Sequence, residues 1–284
     1  MKPTAIVLVS CPDQKGINAA IADFIFRNNG NIVHADEHQD AEEKLFLMRV
    51  EWELDGFAIA AGDFERQFAP LATRFGMQWR LALSAHKPRT AIFVSQHDHC
   101  LVDLLYRHRT GELPCEIPLI VSNHPDAQRD ADFHGIPFHM IPVWPEDKAA
   151  AERTELDLLR EMRIDLVVLA RYMQILSPEF VRHYPQRIIN IHHSFLPAFV
   201  GAKPHRQAFQ RGVKLIGATA HYVTETLDDG PIIEQDVARI SHRDAVDDLA
   251  QKGRDLEKIV LSRAVRWHLE NRILVYGKKT VIFD

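Results

Sequence analysis

Apolar residues recur along this chain with two periods, and the change from one arrangement to another divides it. Residues 5–9 form an apolar run of β type, and residues 13–16 make a turn. Ile17, Ala20, Ile21, Phe24 and Ile25 then follow at helical spacing until residues 28–30, where a glycine suits the end of a helix. Residues 31–38 and 44–52 read as an antiparallel pair around a polar turn at 39–43. In the second of these Leu45, Leu47, Arg49 and Glu51 alternate. A helix near residues 63–75 and a strand at 78–83 complete the order βαββαβ, a ferredoxin-like arrangement.

The polar joint at 86–89 contains Lys87-Pro88, and beyond it the pattern becomes an alternation of short strands and helices. Strands are expected at 91–94, 118–122, 137–141, 165–170 and 187–191, with helical stretches such as 100–108 and 149–162 between them. That alternation predicts a mostly parallel, doubly wound sheet of α/β class. Two further strands, 217–224 and 231–240, flank a tight segment whose Asp-Gly signal predicts an antiparallel return. A last helix spans about 244–271 before a short apolar tail. The expected organisation is a small unit over 1–85, a linker over 86–89 and a larger unit over 90–284.

Composition narrows the function classes. The chain has 284 residues, 46% hydrophobic and 26% charged, with a formal net charge of −5 and charges of both signs interspersed. No basic stripe offers itself to nucleic acid or to an anionic membrane, so neither is expected as a partner. Cys11, Cys100 and Cys115 are far apart and odd in number, which fits a reducing, cytoplasmic setting better than a disulfide framework or a tight zinc motif. No segment approaches membrane-spanning length. Most of the 16 histidines stand singly in polar stretches, where a surface or cap role is the ordinary reading.

In an open α/β sheet the site lies beyond the carboxyl ends of the strands, which selects Asn190-Ile191-His192. Strand periodicity puts Asn190 and His192 on one face. The turn at 226–230 can project Asp228 back over the same edge, where its charge would favour cationic His192. A carboxamide donor and an imidazolium suit an oxyanion formed at an acyl carbon, and His192 with Asp228 suits proton transfer. Each residue alone also has a plain structural role, as strand-end cap, packed polar group or turn former.

Several spaced motifs weigh further. The run Asn190-Ile191-His192-His193-Ser194-Phe195-Leu196-Pro197, then Gly201-Ala202-Lys203-Pro204-His205-Arg206-Gln207-Ala208, then His221-Tyr222-Val223-Thr224 and Leu227-Asp228-Asp229-Gly230-Pro231 resemble the folate-dependent formyltransferase fold family from about residue 89 onward. The resemblance implies a catalytic trio of Asn190, His192 and Asp228. It also implies a folate pocket from the segments at 170–176 and 222–228, giving Met173, Ile175, Leu176, Tyr222, Val223, Thr224 and Glu225. The first unit resembles an ACT domain, with Cys11-Pro12-Asp13-Gln14-Lys15-Gly16 at its first strand-to-helix loop. Such domains commonly bind small effectors, often amino acids, at subunit interfaces. That implies an effector loop of Asp13, Lys15, Gly16 and Ile17 and a homo-oligomer. The two units in this order resemble the formyltetrahydrofolate deformylases. The implied reaction converts 10-formyltetrahydrofolate and water into formate and tetrahydrofolate without a cofactor or metal, supplying formate to purine biosynthesis and balancing folate pools.

Water and an amine are the competing acceptors. Family members that formylate a phosphoribosyl amine hold its phosphate on a small-residue loop after the first strand. Here that place reads Ser95-Gln96-His97-Asp98-His99, with no glycine and with a repelling Asp98, although cationic His97 and His99 would weaken the objection. Members that formylate initiator tRNA carry an added C-terminal domain, which the short stretch after the last helix does not match. A metal-dependent hydrolase using His97, Asp98, His99, His192 and His193 has only a loose motif behind it. A Ser–His nucleophile at His193 and Ser194 is disfavoured because adjacent strand residues face opposite ways, which makes His193 a shaping residue. A non-catalytic amino-acid sensor would be expected to have lost part of the trio, and all three residues are present.

Overall fold

The computed structural model describes residues 2–197 and 204–284, without the side chains of residues 204 and 205. Residues 198–203, which hold Gly201-Ala202-Lys203 of the second motif, lie outside the described residues. The chain forms two compact units. One comprises Met1–Lys87 with Glu270–Tyr276 and Thr280–Asp284, and the other Pro88–Leu269 with Gly277–Lys279. The expected second unit ran to residue 284, whereas most of the tail groups with the first unit.

The first unit runs β1 (Thr4–Pro12), α1 (Ile17–Arg27), β2 (Asn31–Asp40), β3 (Leu45–Glu53), α2 (Phe64–Phe75) and β4 (Gln78–Leu83). Its sheet order is β2-β3-β1-β4. The pairs β1–β3, β1–β4 and β2–β3 are antiparallel. Strand periodicity explains its two faces. Ala5, Val7, Val9 and Cys11 pack with Ile17, Ile21 and Ile25 of α1 and with Phe64 and Phe68 of α2. The opposite face presents Leu8 and Leu47, which are covered by Leu274 and Phe283 from the C-terminal tail. That burial, with the Arg49 Nε–H donating to the Asn271 carbonyl at 3.0 Å, explains why the tail departs from the unit it follows in sequence.

The second unit contains β5 (Arg89–Val94), α3 (His99–Thr110), β6 (Glu116–Ser122), α4 (Gln128–His134), β7 (Phe138–Met140), α5 (Lys148–Glu161), β8 (Leu166–Leu169), α6 (Pro178–His183), β9 (Ile188–His192), α7 (Pro204–Arg211), β10 (Leu215–Tyr222), β11 (Ile232–Arg239) and α8 (Val246–Leu269). The tail pairs β12 (Ile273–Tyr276) with β13 (Lys279–Ile282). The seven-stranded sheet has the order β11-β10-β9-β8-β5-β6-β7. Five strands from β9 to β7 run parallel. β10 and β11 return antiparallel, as the Asp-Gly turn predicts. On one face Phe93, Val121, Val167 and Ile188 meet Leu156 and Leu159 of α5 and Phe180 of α6. On the other, α8 packs along β9, β10 and β11 and against α3. The strand order reverses at β5, so crevices open beyond the carboxyl ends of β5, β8 and β9, the place where ligands bind in such sheets.

Candidate active site

The run at 188–192 is apolar on both faces until its end, where Asn190 and His192 reach the edge of the sheet. The turn that follows is fixed by Thr219, whose hydroxyl donates to the Ser194 carbonyl at 2.9 Å and accepts from the Leu196 N–H at 3.1 Å. Across the strand pair, His221 stands opposite Asn190. On its other side β10 shifts register against β11 between Ala220 and His221, a device that re-aims side chains next to functional sites.

Asp228 arrives from the turn between β10 and β11, with the left-handed φ of 54° that non-glycine residues seldom adopt. Gly230 makes this turn possible, since a Cβ there would lie 1.7 Å from the Tyr222 carbonyl oxygen. Asp228 Oδ2 lies 3.3 Å from His192 Nδ1, and Oδ1 lies 3.7 Å from His221 Nε2. These imidazoles, His192 first and then His221, hold the Asp228 carboxyl far below the usual carboxylate range and outweigh its partial burial.

The hydrogen bonds orient the trio. His221 Nδ1–H donates to the Tyr222 carbonyl at 3.0 Å, and its Nε2 lies 3.2 Å from the Asn190 carboxamide nitrogen. The Asn190 carboxamide also lines the cleft, where it can donate to a ligand oxygen. His192 Nε2 pairs with the Ser194 hydroxyl at 2.8 Å. The serine therefore serves His192, two residues away on the same face, and not His193. Neither His221 nor Ser194 was assigned a role from sequence. Spacing of two could have pointed to Ser194, whereas His221 depends on the β9–β10 register.

A cleft joins these groups. Asn190, His192, His221 and Asp228 line it together with Arg171, Met173, Ile175, Leu176, Val223, Thr224, Glu225 and Leu227. Met173, Ile175 and Leu227 are 56%, 59% and 56% exposed, leaving apolar surface open to a flat, apolar ligand. Tyr222, expected in the pocket, is not among the lining residues. Its buried ring turns toward α8, where its hydroxyl pairs with His268 Nδ1 at 2.7 Å. In the first unit Asp13, Gly16 and Ile17 border a surface hollow with Asn18, Glu37 and Gln39, while Lys15 does not line it. Gly16 has a φ of 93° at the start of α1, and Ile17 is itself a core residue.

The loop after β5 is committed to other contacts. Ser95 Oγ donates to Asn123 Oδ1 at 2.6 Å and accepts from the Met173 N–H at 3.0 Å. His99 Nε2 lies 2.7 Å from Glu257, which also faces Arg171 Nε at 3.4 Å. Burial raises the Glu257 pKa, but the His99 hydrogen bond and the Arg171 charge outweigh it and leave the carboxyl below its ordinary value. His97 is pushed down, by burial first and then by Arg171 and His99, which disfavours the cationic form a phosphate would require. The metal set suggested by sequence is not gathered. Among the described residues His99, Cys100 and Glu257 are the group close enough to share an ion. They fit one poorly, because Arg171 presents a cation to Glu257 and burial drives the Cys100 thiol pKa well above its usual value.

Residues 88–265 match the formyl transferase family, so fold and site define a formyl-group enzyme of that class. A formyltetrahydrofolate deformylase of Synechocystis is 59% identical over 280 residues, spanning 99% of this chain and 98% of that protein. The crystal structure of a formyltetrahydrofolate deformylase from Pseudomonas syringae pv. tomato superposes with a TM-score of 0.98 at 48% identity, covering 100% of this chain and 95% of that one. A glycinamide ribonucleotide transformylase from Symbiobacterium toebii matches with a TM-score of 0.67 at 30% identity, covering 72% of this chain and 98% of its own. The chain belongs to the formyltetrahydrofolate deformylase family.

Proposed function

We infer that this chain hydrolyses 10-formyltetrahydrofolate to formate and tetrahydrofolate. The observation that carries the reading is the His192–Asp228 pair, His192 buried and Asp228 half-buried, beside Asn190 at a cleft with exposed apolar walls. The folate ring system lies against Met173, Ile175, Leu176 and the backbone of 223–225, with the formyl carbon toward Asn190. Water adds to that carbon, and the developing oxyanion is met by the Asn190 carboxamide N–H and by His192. The C–N bond then breaks, N10 takes a proton relayed through His192, and formate leaves. Asp228 stays ionised at neutral pH, because its carboxyl titrates far lower, and supports positive charge on His192. Released formate would feed purine synthesis in the cytoplasm. In an assay without any amine acceptor and with exhaustive chelation, formate and tetrahydrofolate are expected in equal amounts over many turnovers. Activity that needs an added amine, or added zinc, would overturn this reading.

The first unit supports a regulatory proposal. Asp13, Glu37 and the Gly16 turn border a polar hollow suited to a small amino-acid effector, and the chain is expected to assemble as a homo-oligomer through such units. Among the described residues no helix is long and apolar enough to cross a membrane. Thermal-shift screening of the amino acids should find a stabilising ligand whose effect disappears in Gly16→Val. A flat screen, or a single-chain mass by light scattering, would contradict this part.

A further inference from the structure

On α5, Lys148, Glu152 and Glu155 are spaced by four and three residues, so they share one face of the helix. A polar stripe of this kind reads as a solvated face. Yet Glu152 is 7% and Glu155 1% exposed. Burying carboxylates is costly unless their oxygens find partners; one oxygen of each finds a partner in the loop between β8 and α6, while Glu155 Oε2 is buried without one. Glu155 Oε1 accepts from the Tyr172 hydroxyl at 2.7 Å. Glu152 Oε1 accepts from the Ser177 N–H at 2.9 Å. The Lys148 ammonium, 3.8 Å from Glu152, donates to the Ile175 carbonyl. The helix therefore holds the loop at its beginning, middle and end, and the side chains of Met173, Ile175 and Leu176 between those points open onto the cleft.

We propose that Glu152 and Glu155 are positioning residues for substrate binding, a helix-borne clamp that fixes the shape of loop 172–177 and through it the affinity for the folate. The proposal rests on the reading that this loop forms the folate pocket. Neither carboxylate lines the cleft, so the clamp acts through Tyr172 and Ser177 and not on the reacting atoms. Nothing in the sequence pattern separates this stripe from a solvated one, because its partners lie 17 and 25 residues away along the chain.

Steady-state kinetics on the full-length protein test the idea. Glu152→Ala and Glu155→Ala should each raise KM about tenfold, the scale of one lost hydrogen bond, while kcat moves by less than about twofold. Glu152→Gln and Glu155→Gln keep the accepting oxygen and should restore KM. Should the alanine variants fail to fold, Glu152→Asp and Glu155→Asp withdraw the accepting oxygens by one methylene and should give the same rise. Folded variants with parental KM, or with kcat lost at unchanged KM, would overturn the clamp. Ile175→Glu separates the two readings. If it raises KM while the α5 variants do not, only the clamp fails; if it leaves KM untouched, the pocket assignment fails first.

Discussion

Two carboxylates in the second unit, Asp228 and Glu155, are both withdrawn from solvent, and their acidities move in opposite directions. Asp228 faces two imidazoles and is held far below its ordinary value. Glu155 is pushed up to about 7, by burial first, while Glu152 adds to the rise and the Tyr172 hydrogen bond and Lys148 only partly offset it. Burial alone therefore does not set the charge of a site. What decides is whether the neighbours outweigh it, as the two imidazoles do at Asp228 and as Tyr172 and Lys148 do not at Glu155. Where imidazoles outweigh burial, the carboxylate stays charged and can support a cation during acyl chemistry; where burial prevails, it becomes a group that shapes a loop.

The largest expected effect comes from erasing the charged member. Asp228→Asn preserves shape but removes the anion supporting His192, and should lower turnover by about a thousandfold with folate affinity nearly intact. Retained turnover would make Asp228 no different in kind from Glu155. Next is Gly230→Ala, whose Cβ would collide with the Tyr222 carbonyl and displace the turn carrying Asp228. Turnover should fall with it, and Tm should drop by at least about 5 °C; an unshifted Tm would show that the turn yields without cost.

The smallest effect compares the two groups directly through pH. Folding raises the Glu155 pKa above its ordinary 4.5, so the folded chain binds more protons between pH 4.5 and about 7. Its contribution to stability is full below that window and is lost as pH rises through it. Asp228 has the reverse sign: its contribution is present above the ordinary 3.8 and is lost as pH falls below it. Thermal denaturation of Glu155→Gln should show a Tm difference from the parent that changes between pH 5 and 7, whereas for Asp228→Asn the change should come below pH 4. Parallel profiles would refute the contrast.

Legibility in the sequence follows the same division. Alternation, helical spacing and the Asp-Gly turn are local signals, and they suffice for both sheets, for the strand end that carries Asn190 and His192, and for the turn that carries Asp228. What local signals miss is long-range pairing. His221 enters the site through its register against β9. Tyr222 turns toward α8 because His268 offers a partner there, and the tail leaves its expected unit because Leu274 and Phe283 fit an apolar face formed by β1 and β3. The α5 stripe stays hidden for the same reason, since buried and solvated carboxylates look identical until their partners are known.

The most direct test of the account is the source of the new oxygen in formate. Turnover of 10-formyltetrahydrofolate in heavy-oxygen water, followed by mass spectrometry of the formate, should show one solvent-derived oxygen in each molecule formed. Formate without the label, or label-free transfer of the formyl group to an amine, would contradict hydrolysis at the Asn190–His192–Asp228 site.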